Sequence, residues 1–318
     1  MPSNKPGLSV LLSAYNSEKF IQQAIESILN QSFEDFELLI ADDGSSDNTK
    51  SIIDSFSDHR IIRSHNSSNK GKINTCNRLF TLAKGDFVSI HDADDYSHKD
   101  RFAKQLQFIK SKSLAMCGTD FVNLTESGKI LQTIKMPNDI EVIKQNFLKV
   151  SQFHGPTMMI QKDVVEQVGG LYRFFRNKED VDLAVRITER FPVDNLNEAL
   201  YYYRNHPASL SKQGYDFLKF EGMKAIEFLH NERMHSEDYS DSLMKSDRSA
   251  FEQFLKQLEK PYRIDKGLIY RKSAAHNMYF NFFRAAISQS FKAIAIDPFR
   301  IINYRTFLYC VRKSVFKI

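Results

Sequence analysis

In the stretch His91-Asp92-Ala93-Asp94-Asp95, three carboxylates fall within four residues. Like charges set so close repel unless a cation or a donor network compensates them. A divalent ion is the simplest compensation. Hard Mg2+ or Mn2+ takes oxygen ligands and keeps positions open for water and phosphate oxygens, so one or two carboxylates suit it better than a closed cage. A second run, Ala41-Asp42-Asp43-Gly44-Ser45-Ser46-Asp47, places paired acids ahead of Gly and Ser. Asp43 to Asp47 are good turn and capping material. Asp42 is placed to accept from the imide N–H of a uracil or thymine ring, and Tyr15, in Ser13-Ala14-Tyr15-Asn16, to pack or hydrogen-bond beside it. A third run, Asn177-Lys178-Glu179-Asp180, opens a helical segment. There the helix dipole favours acids by about 0.3–1 kcal/mol whether or not they do chemistry. The fourth, Tyr202 to Ser211, offers His206 as a ligand for the same metal and Arg204, Ser209 and Ser211 for phosphate oxygens, although a surface loop with an incidental histidine reads the same way.

The elements that must position these runs are legible in the apolar pattern. Strand-like Leu8 to Ser13, Phe36 to Ala41, Arg60 to Arg63 and Phe87 to Ile90 alternate with helical spacing at Phe20 to Leu29, around Ile52 to Phe56, and at Ile73 to Ala83. Continuous apolar strands alternating with helices predict a mostly parallel sheet covered on both faces. Ligands then gather at the carboxyl ends of its strands, where the polar runs lie. Further on, Leu114 to Gly118 and Ile130 to Thr133 read as strands about a Glu126-Ser127-Gly128 turn, and Ile140 to Phe147 as a helix. Thr157 to Ile160 reads as a strand, Val181 to Arg190 as a helix stopped before Pro192, and Leu200 to Tyr203 as a last strand. His154-Gly155-Pro156-Thr157 reads equally as a turn or as a wall of an acceptor pocket. Beyond about Lys212 the pattern is helical and charged, which sets domains of 1–212 and 213–318.

Composition bounds the rest. With 42% hydrophobic and 26% charged residues in 318, the chain is globular rather than disordered or repetitive. No stretch free of charged residues exceeds about a dozen, against about 20 for a membrane span, and Met1 to Leu12 lacks a secretory core. A cytoplasmic location is expected. Cys76, Cys117 and Cys310 are too few and too scattered for a disulfide framework and are read as reduced thiols. A net charge of +5 is too small to suggest a nucleic-acid partner, but it is unevenly spread. From Pro261 to Ile318 eleven Lys or Arg face two acids, and twelve Phe or Tyr are interleaved with them. That mixture suits peripheral binding to an anionic membrane surface, or a helical tail that packs its aromatics inward.

Taken in order, these residues resemble the family 2 inverting nucleotide-sugar glycosyltransferases of GT-A fold, from Leu8 to Ser211. The elements that carry the resemblance are Ser13-Ala14-Tyr15-Asn16, Asp42-Asp43-Gly44-Ser45, Asn69-Lys70-Gly71 through Asn77, and Gly85-Asp86 leading to Asp92-Ala93-Asp94-Asp95. They continue with Gly169-Gly170-Leu171, Glu179-Asp180-Val181-Asp182-Leu183 and Tyr203-Arg204-Asn205-His206. The family often has an aromatic residue where this chain has Val181.

The resemblance implies an α/β, Rossmann-like mixed sheet flanked by helices with a helical C-terminal extension, and an enzyme that transfers sugar from a nucleotide diphosphate donor, by family habit a UDP-sugar. The acceptor would be a hydroxyl of a glycan or lipid-linked acceptor in cell-surface polysaccharide synthesis. Asp42 would then contact the base, Asp92 the ribose or donor sugar, and Asp94, with His206, a Mn2+ or Mg2+ cofactor. Ser13, Tyr15, Lys70, Ala93 and Ser209 would complete the nucleotide-sugar contacts, and Asp180 or Glu179 would be the base. A non-enzymatic scaffold that binds the sugar nucleotide without turnover is the rival, and the intact acids argue against it. No Gly-x-Gly-x-x-Gly follows any strand, which excludes a dinucleotide-dependent oxidoreductase.

Overall fold

A strand that is apolar on both faces has to be covered on both faces, and two such strands form the centre of the first unit. Strand β1 (Leu8–Ala14) and strand β2 (Phe36–Asp42) are buried except at Ser13. The structure is a computed structural model that describes residues 5–173, 178–206, 216–279 and 282–316. The chain divides into two units, 1–209 and 210–318.

Side chains alternate across β1, and each set meets its own layer. Leu11, with Leu39, Val88 and Ile90, packs on Cys76, Leu79 and Phe80 of helix α3 (Lys72–Leu82). Val10 and Leu12, with Leu38 and Ile40, pack on Ile21, Ala24, Ile25 and Ile28 of α1 (Ile21–Leu29) and Ile53 of α2 (Thr49–Ser55). Phe102, Leu106 and Ile109 of α4 (Arg101–Lys112) complete that layer.

The sheet runs β3 (Ile61–His65), β2, β1, β4 (Phe87–Asp92), β8 (Met159–Gln161), β6 (Met116–Thr125), β9 (Val193–Asn205), β5 (Tyr96–Ser97), with β7 (Ile130–Ile134) on β6. Strands β1 to β4 are mutually parallel, β6 pairs β9 in parallel, and β5, β7 and β8 run antiparallel to their neighbours. Helices α5 (Ile140–Asn146), α6 (Lys162–Gln167) and α7 (Glu179–Thr188) follow in the second half of the unit.

Two strands are longer than their apolar pattern suggests, because polar residues inside them have buried partners. In β6 the buried Asp120 carboxylate accepts from the Met136 N–H at 2.8 Å. In β9 the Asn195 amide donates to the carbonyls of Pro137 and Gln152 at 2.7 and 2.9 Å, and Asp194 pairs with Lys112. β5 is only two residues long, too short for periodicity to register. The three cysteines are free and buried, and burial pushes the Cys76 and Cys117 thiols up to about 12.

The second unit is helical: α8 (Phe217–Met234), α9 (Ser249–Ile264), α10 (Leu268–Tyr279), α11 (Phe283–Ile296) and α12 (Ile301–Phe316). Within it Glu221 is held by Lys224, Lys272 and the Tyr262 hydroxyl, and Arg233 is paired with Asp241. Among the described residues no helix is long and apolar enough to cross a membrane.

Candidate active site

Strand register does the first part of the assembly. Ser13 lies opposite Asp92, Ala14 opposite Asp42, and Asp42 opposite His65, so the carboxyl ends of four strands present their polar residues along one edge. Asp42 is buried, accepts from the Ser45 N–H at 3.2 Å, and has His65 Nδ1 at 4.0 Å. Tyr15, which follows the Ala14 paired with Asp42, is exposed, and Ser13 is half-buried.

The next acid, Asp43, is a structural hub. Its carboxylate accepts from the Asn66 amide, the N–H groups of Lys70 and Gly71 and the Thr75 hydroxyl, all at 2.6 to 2.9 Å. Gly44 leaves room for this loop: at φ 75°, a Cβ there would strike the Ser68 backbone at 2.6 Å. Lys70 contributes its backbone, the N–H to Asp43 and the carbonyl to the Asn74 amide, and its side chain is exposed.

Fixing that loop fixes the start of α3, where Lys72 sits at the first helical position. A lysine there is disfavoured by the helix dipole and calls for a nearby acid. Its ammonium donates to Asp92 Oδ1 at 2.6 Å, and its charge also acts on Glu179 and Asp180. Burial alone would raise Asp92, but Lys72, through charge and hydrogen bond, holds this carboxyl below its ordinary value. Lys72 is a residue that the sequence reading did not single out; it named Lys70, two positions earlier.

After β4 the chain turns through Asp92-Ala93-Asp94-Asp95, with Ala93 buried, and pairs as β5 with β9. That pairing brings Arg204 and His206 against the acids. His206 Nε2 lies 2.7 Å from Asp94 Oδ2, the Arg204 N–H donates to Asp95 Oδ1 at 2.7 Å, and Arg204 Nε donates to the Asp94 carbonyl at 2.9 Å. The rest of the Arg204 guanidinium is taken up by the Glu126 carbonyl and the Gln23 amide oxygen, so it clamps the turn instead of reaching toward a phosphate. One oxygen each of Asp92, Asp94 and Asp95 lie within 4.8 Å of one another. Burial first, then Asp94 and Asp92, push Asp95 well above the ordinary carboxylate range, and its Oδ2 is buried with no hydrogen-bond partner. Three converging hard oxygens with one unsatisfied fit a Mg2+ or Mn2+ ion.

Opposite these acids stands the start of α7. Asp182 is fully buried between Arg173 and Arg186, and Arg186 also donates to the carbonyls of Val168, Gly170 and Leu171. This network ties the Gly169-Gly170-Leu171 turn to the helix and leaves Glu179 and Asp180 at its tip. Burial raises both carboxyls above their ordinary values, and Lys72 pulls both back down. Glu179 Oε2 is buried without a partner. Asp180 fits because residue 155 is glycine: a Cβ there would lie 2.4 Å from Asp180 Oδ2.

A cavity of about 300 Å³ opens at Asp180, walled by Phe121, Met136, Phe153, His154 and Lys178 among others. The His154 ring stacks on Phe121 at 4.0 Å and meets Tyr203 edge-on at 5.0 Å. Its Nε2 is buried and unpartnered, and burial holds its pKa down to about 4. Asn177, Ser209 and Ser211 lie outside the described residues. Of the other expected residues, Asp92, Asp94 and His206 form one contiguous group, and Lys72, bonded to Asp92, acts through its charge on Glu179 and Asp180. Asp42 and Ser13 lie on the same strand edge.

Residues 9–169 match the family described as "Glycosyl transferase family 2". The O-antigen biosynthesis glycosyltransferase WbnJ of Escherichia coli is 31% identical over 235 residues, 70% of this chain and 89% of that protein. A second Escherichia coli protein, the UDP-Glc:alpha-D-GlcNAc-diphosphoundecaprenol beta-1,3-glucosyltransferase WfaP, is 27% identical over 226 residues, 69% of this chain and 88% of its own length. Among solved structures, S. aureus TarS 1-349 in complex with UDP-GlcNAc superposes with a TM-score of 0.62 at 18% identity, covering 96% of this chain and 92% of that one.

Proposed function

The chain belongs to glycosyltransferase family 2, and on that premise we propose that it moves a sugar from a UDP-linked donor to a hydroxyl of a glycan or lipid-linked acceptor, with inversion, in cell-surface polysaccharide synthesis. The polymer class is inferred from relatives that make O-antigen and act on a diphosphoundecaprenol-linked sugar, and the donor from the UDP-GlcNAc held by a protein of the same fold.

In this reading Asp42 accepts from the uracil imide N–H, with Tyr15 beside it. Ser13, Lys70, Ala93 and Asp92 border the ribose and donor sugar, and Ser209 is assigned to the diphosphate. Asp94 and His206, with Asp92 and Asp95 nearby, would hold Mg2+ or Mn2+. A bound divalent ion supplies Lewis-acid stabilisation of the charge that grows on the leaving diphosphate. Asp180 takes the proton of the acceptor hydroxyl as its oxygen bonds to the anomeric carbon, and the bond to the diphosphate breaks with its electron pair on the leaving oxygen. Attack on one face with departure from the other inverts the centre, so one base suffices, in contrast to the carboxylate pairs of glycoside hydrolases.

The observation that carries this reading is electrostatic. Lys72 is bonded to Asp92 and its charge also acts on Glu179 and Asp180, so the donor-side acids and the base are electrostatically coupled, with an open cavity beside the base. The test is release of nucleoside diphosphate from a panel of UDP-, GDP- and dTDP-sugars with Mn2+. UDP-sugars should be the donors used. Asp180→Asn should cut kcat by about 10²–10⁴ while UDP affinity by calorimetry stays within a few-fold. Joint collapse of turnover and UDP affinity would make Asp180 structural and remove the assignment.

A further inference from the structure

The last two helices of the second unit have their sizes reversed. Facing inward they bury small or polar side chains: Ala286, Ser290 and Ala293 on α11, Asn303 and Cys310 on α12. Ile287 packs against this inner cluster, but many of their other large apolar side chains face outward. Phe299, in the turn between them, is 96% exposed and Ile301 is 70% exposed; Phe291, Ile296, Leu308 and Val315 are exposed as well. On α12 the residues 301, 304, 308 and 315 recur at helical spacing on one face, and Arg305 and Arg312 fall within that same stripe. From 283 to 316 there are six Lys or Arg and one acid, Asp297, which is bonded to Arg300 at 2.8 Å.

A soluble helix ordinarily turns its polar side to water, and an apolar patch of this kind marks a place where something docks. We propose that the outer face of the α11–α12 hairpin docks on an anionic lipid surface, with Phe299 and Ile301 entering the headgroup boundary and the arginines meeting lipid phosphates. Charge selects this occupant. A second copy would oppose one strongly cationic face to another, whereas an anionic bilayer complements both the arginines and the apolar tip. Long arginine stems can lie along the apolar layer with their heads in the phosphate plane. The hairpin lies on the bilayer and does not span it: sixteen residues make a helix of about 24 Å against a hydrocarbon core of about 30 Å. The inference is independent of the donor and of the base.

The chain contains no tryptophan, so Phe299→Trp makes a single-tryptophan reporter of the full-length protein. With vesicles holding about 30% phosphatidylglycerol in phosphatidylcholine, its emission should shift to the blue and be quenched by brominated acyl chains. Pure phosphatidylcholine should give a much smaller response. In sedimentation, Phe299→Ser with Ile301→Ser should lower partition at least about ten-fold, and Arg305→Gln or Arg312→Gln about five-fold each in low salt. These positions are exposed, and circular dichroism melts confirm that each variant folds. Absence of binding to the anionic vesicles, or partition unchanged in the serine variant, overturns the proposal. A dimer seen by light scattering that the serine variant dissolves, without vesicle binding, overturns it in favour of self-association.

Discussion

Lys72→Met removes a cation that is paired with Asp92 and acts electrostatically on Glu179 and Asp180, and keeps a chain of similar length. The Lys72–Asp92 pair is 2.6 Å long, with 25% and 22% of the two side chains in contact with solvent. Exposed pairs contribute about 0–1 kcal/mol, while breaking a fully buried pair costs about 3–5 kcal/mol because the partner charge stays behind. A pair three-quarters buried lies between, so the expected loss is about 2 kcal/mol, or a fall in Tm of about 4–8 °C for a unit of this size. A second readout separates electrostatics from packing. Burial raises Glu179 and Asp180, and Lys72 opposes that rise in both. Without it both carboxyls climb further. A base must be deprotonated to act, so the acid limb of the pH–kcat profile should move to higher pH. Measured in the same preparation, the Asp92→Asn background should absorb most of the Tm loss, since it removes the charge that Lys72 neutralises. An unmoved acid limb together with an unchanged Tm would show that Lys72 does not couple the two groups of acids.

Asp94→Ala should abolish metal-dependent turnover, and full activity of the wild-type chain in chelator would remove the metal assignment. Gly155→Ala places a methyl 2.4 Å from Asp180 Oδ2; kcat should fall at least about ten-fold with UDP affinity retained, and unaffected kcat would show that the carboxylate has room to move. His91 is buried, with its pKa lowered to about 3 by burial and then by Arg101, so the folded state keeps it neutral while the unfolded chain takes up a proton below about 6.5. Its contribution is complete above pH 6.5 and should decline by about 2 kcal/mol at pH 5; urea melts at pH 7 and 5 that coincide would contradict it.

The sequence made the strands, the covering helices and the acidic runs at strand ends legible because each rests on local chemistry. Apolar continuity gave β1 and β2, and like-charge clustering singled out Asp92 to Asp95. What stayed hidden depends on pairing between distant residues. Lys72 and Lys70 are two positions apart, and only the direction of the α3 N-terminus distinguishes the one that meets Asp92. Asn195 and Asp120 look like breaks in a strand until their partners, Pro137, Gln152 and Met136, are known. For the C-terminal tail the sequence left two readings open, a membrane-facing surface or aromatics packed inward, and only the fold shows which side of α12 the small residues occupy.

At two places in the candidate site, neighbouring acids divide the labour in the same way. Asp43 spends its oxygens on four donors that shape the loop into α3, and Asp42 beside it is engaged, among the described residues, by Ser45 and more distantly by His65. Asp182 is consumed by two arginines that anchor the glycine turn, and Asp180 two positions earlier faces the cavity. At the turn after β4 the division is incomplete: Asp95 receives the Arg204 N–H on one oxygen and keeps the other without a partner, and Asp94 faces His206. A carboxylate saturated with fixed donors is a rigid anchor and has little capacity left for a ligand. One that must bind a ligand or accept a proton keeps lone pairs free and is positioned by something else. Acids come in neighbouring pairs here because anchoring and chemistry make opposite demands on a carboxylate, and a short polar run at a strand or helix end is the least backbone that can supply both.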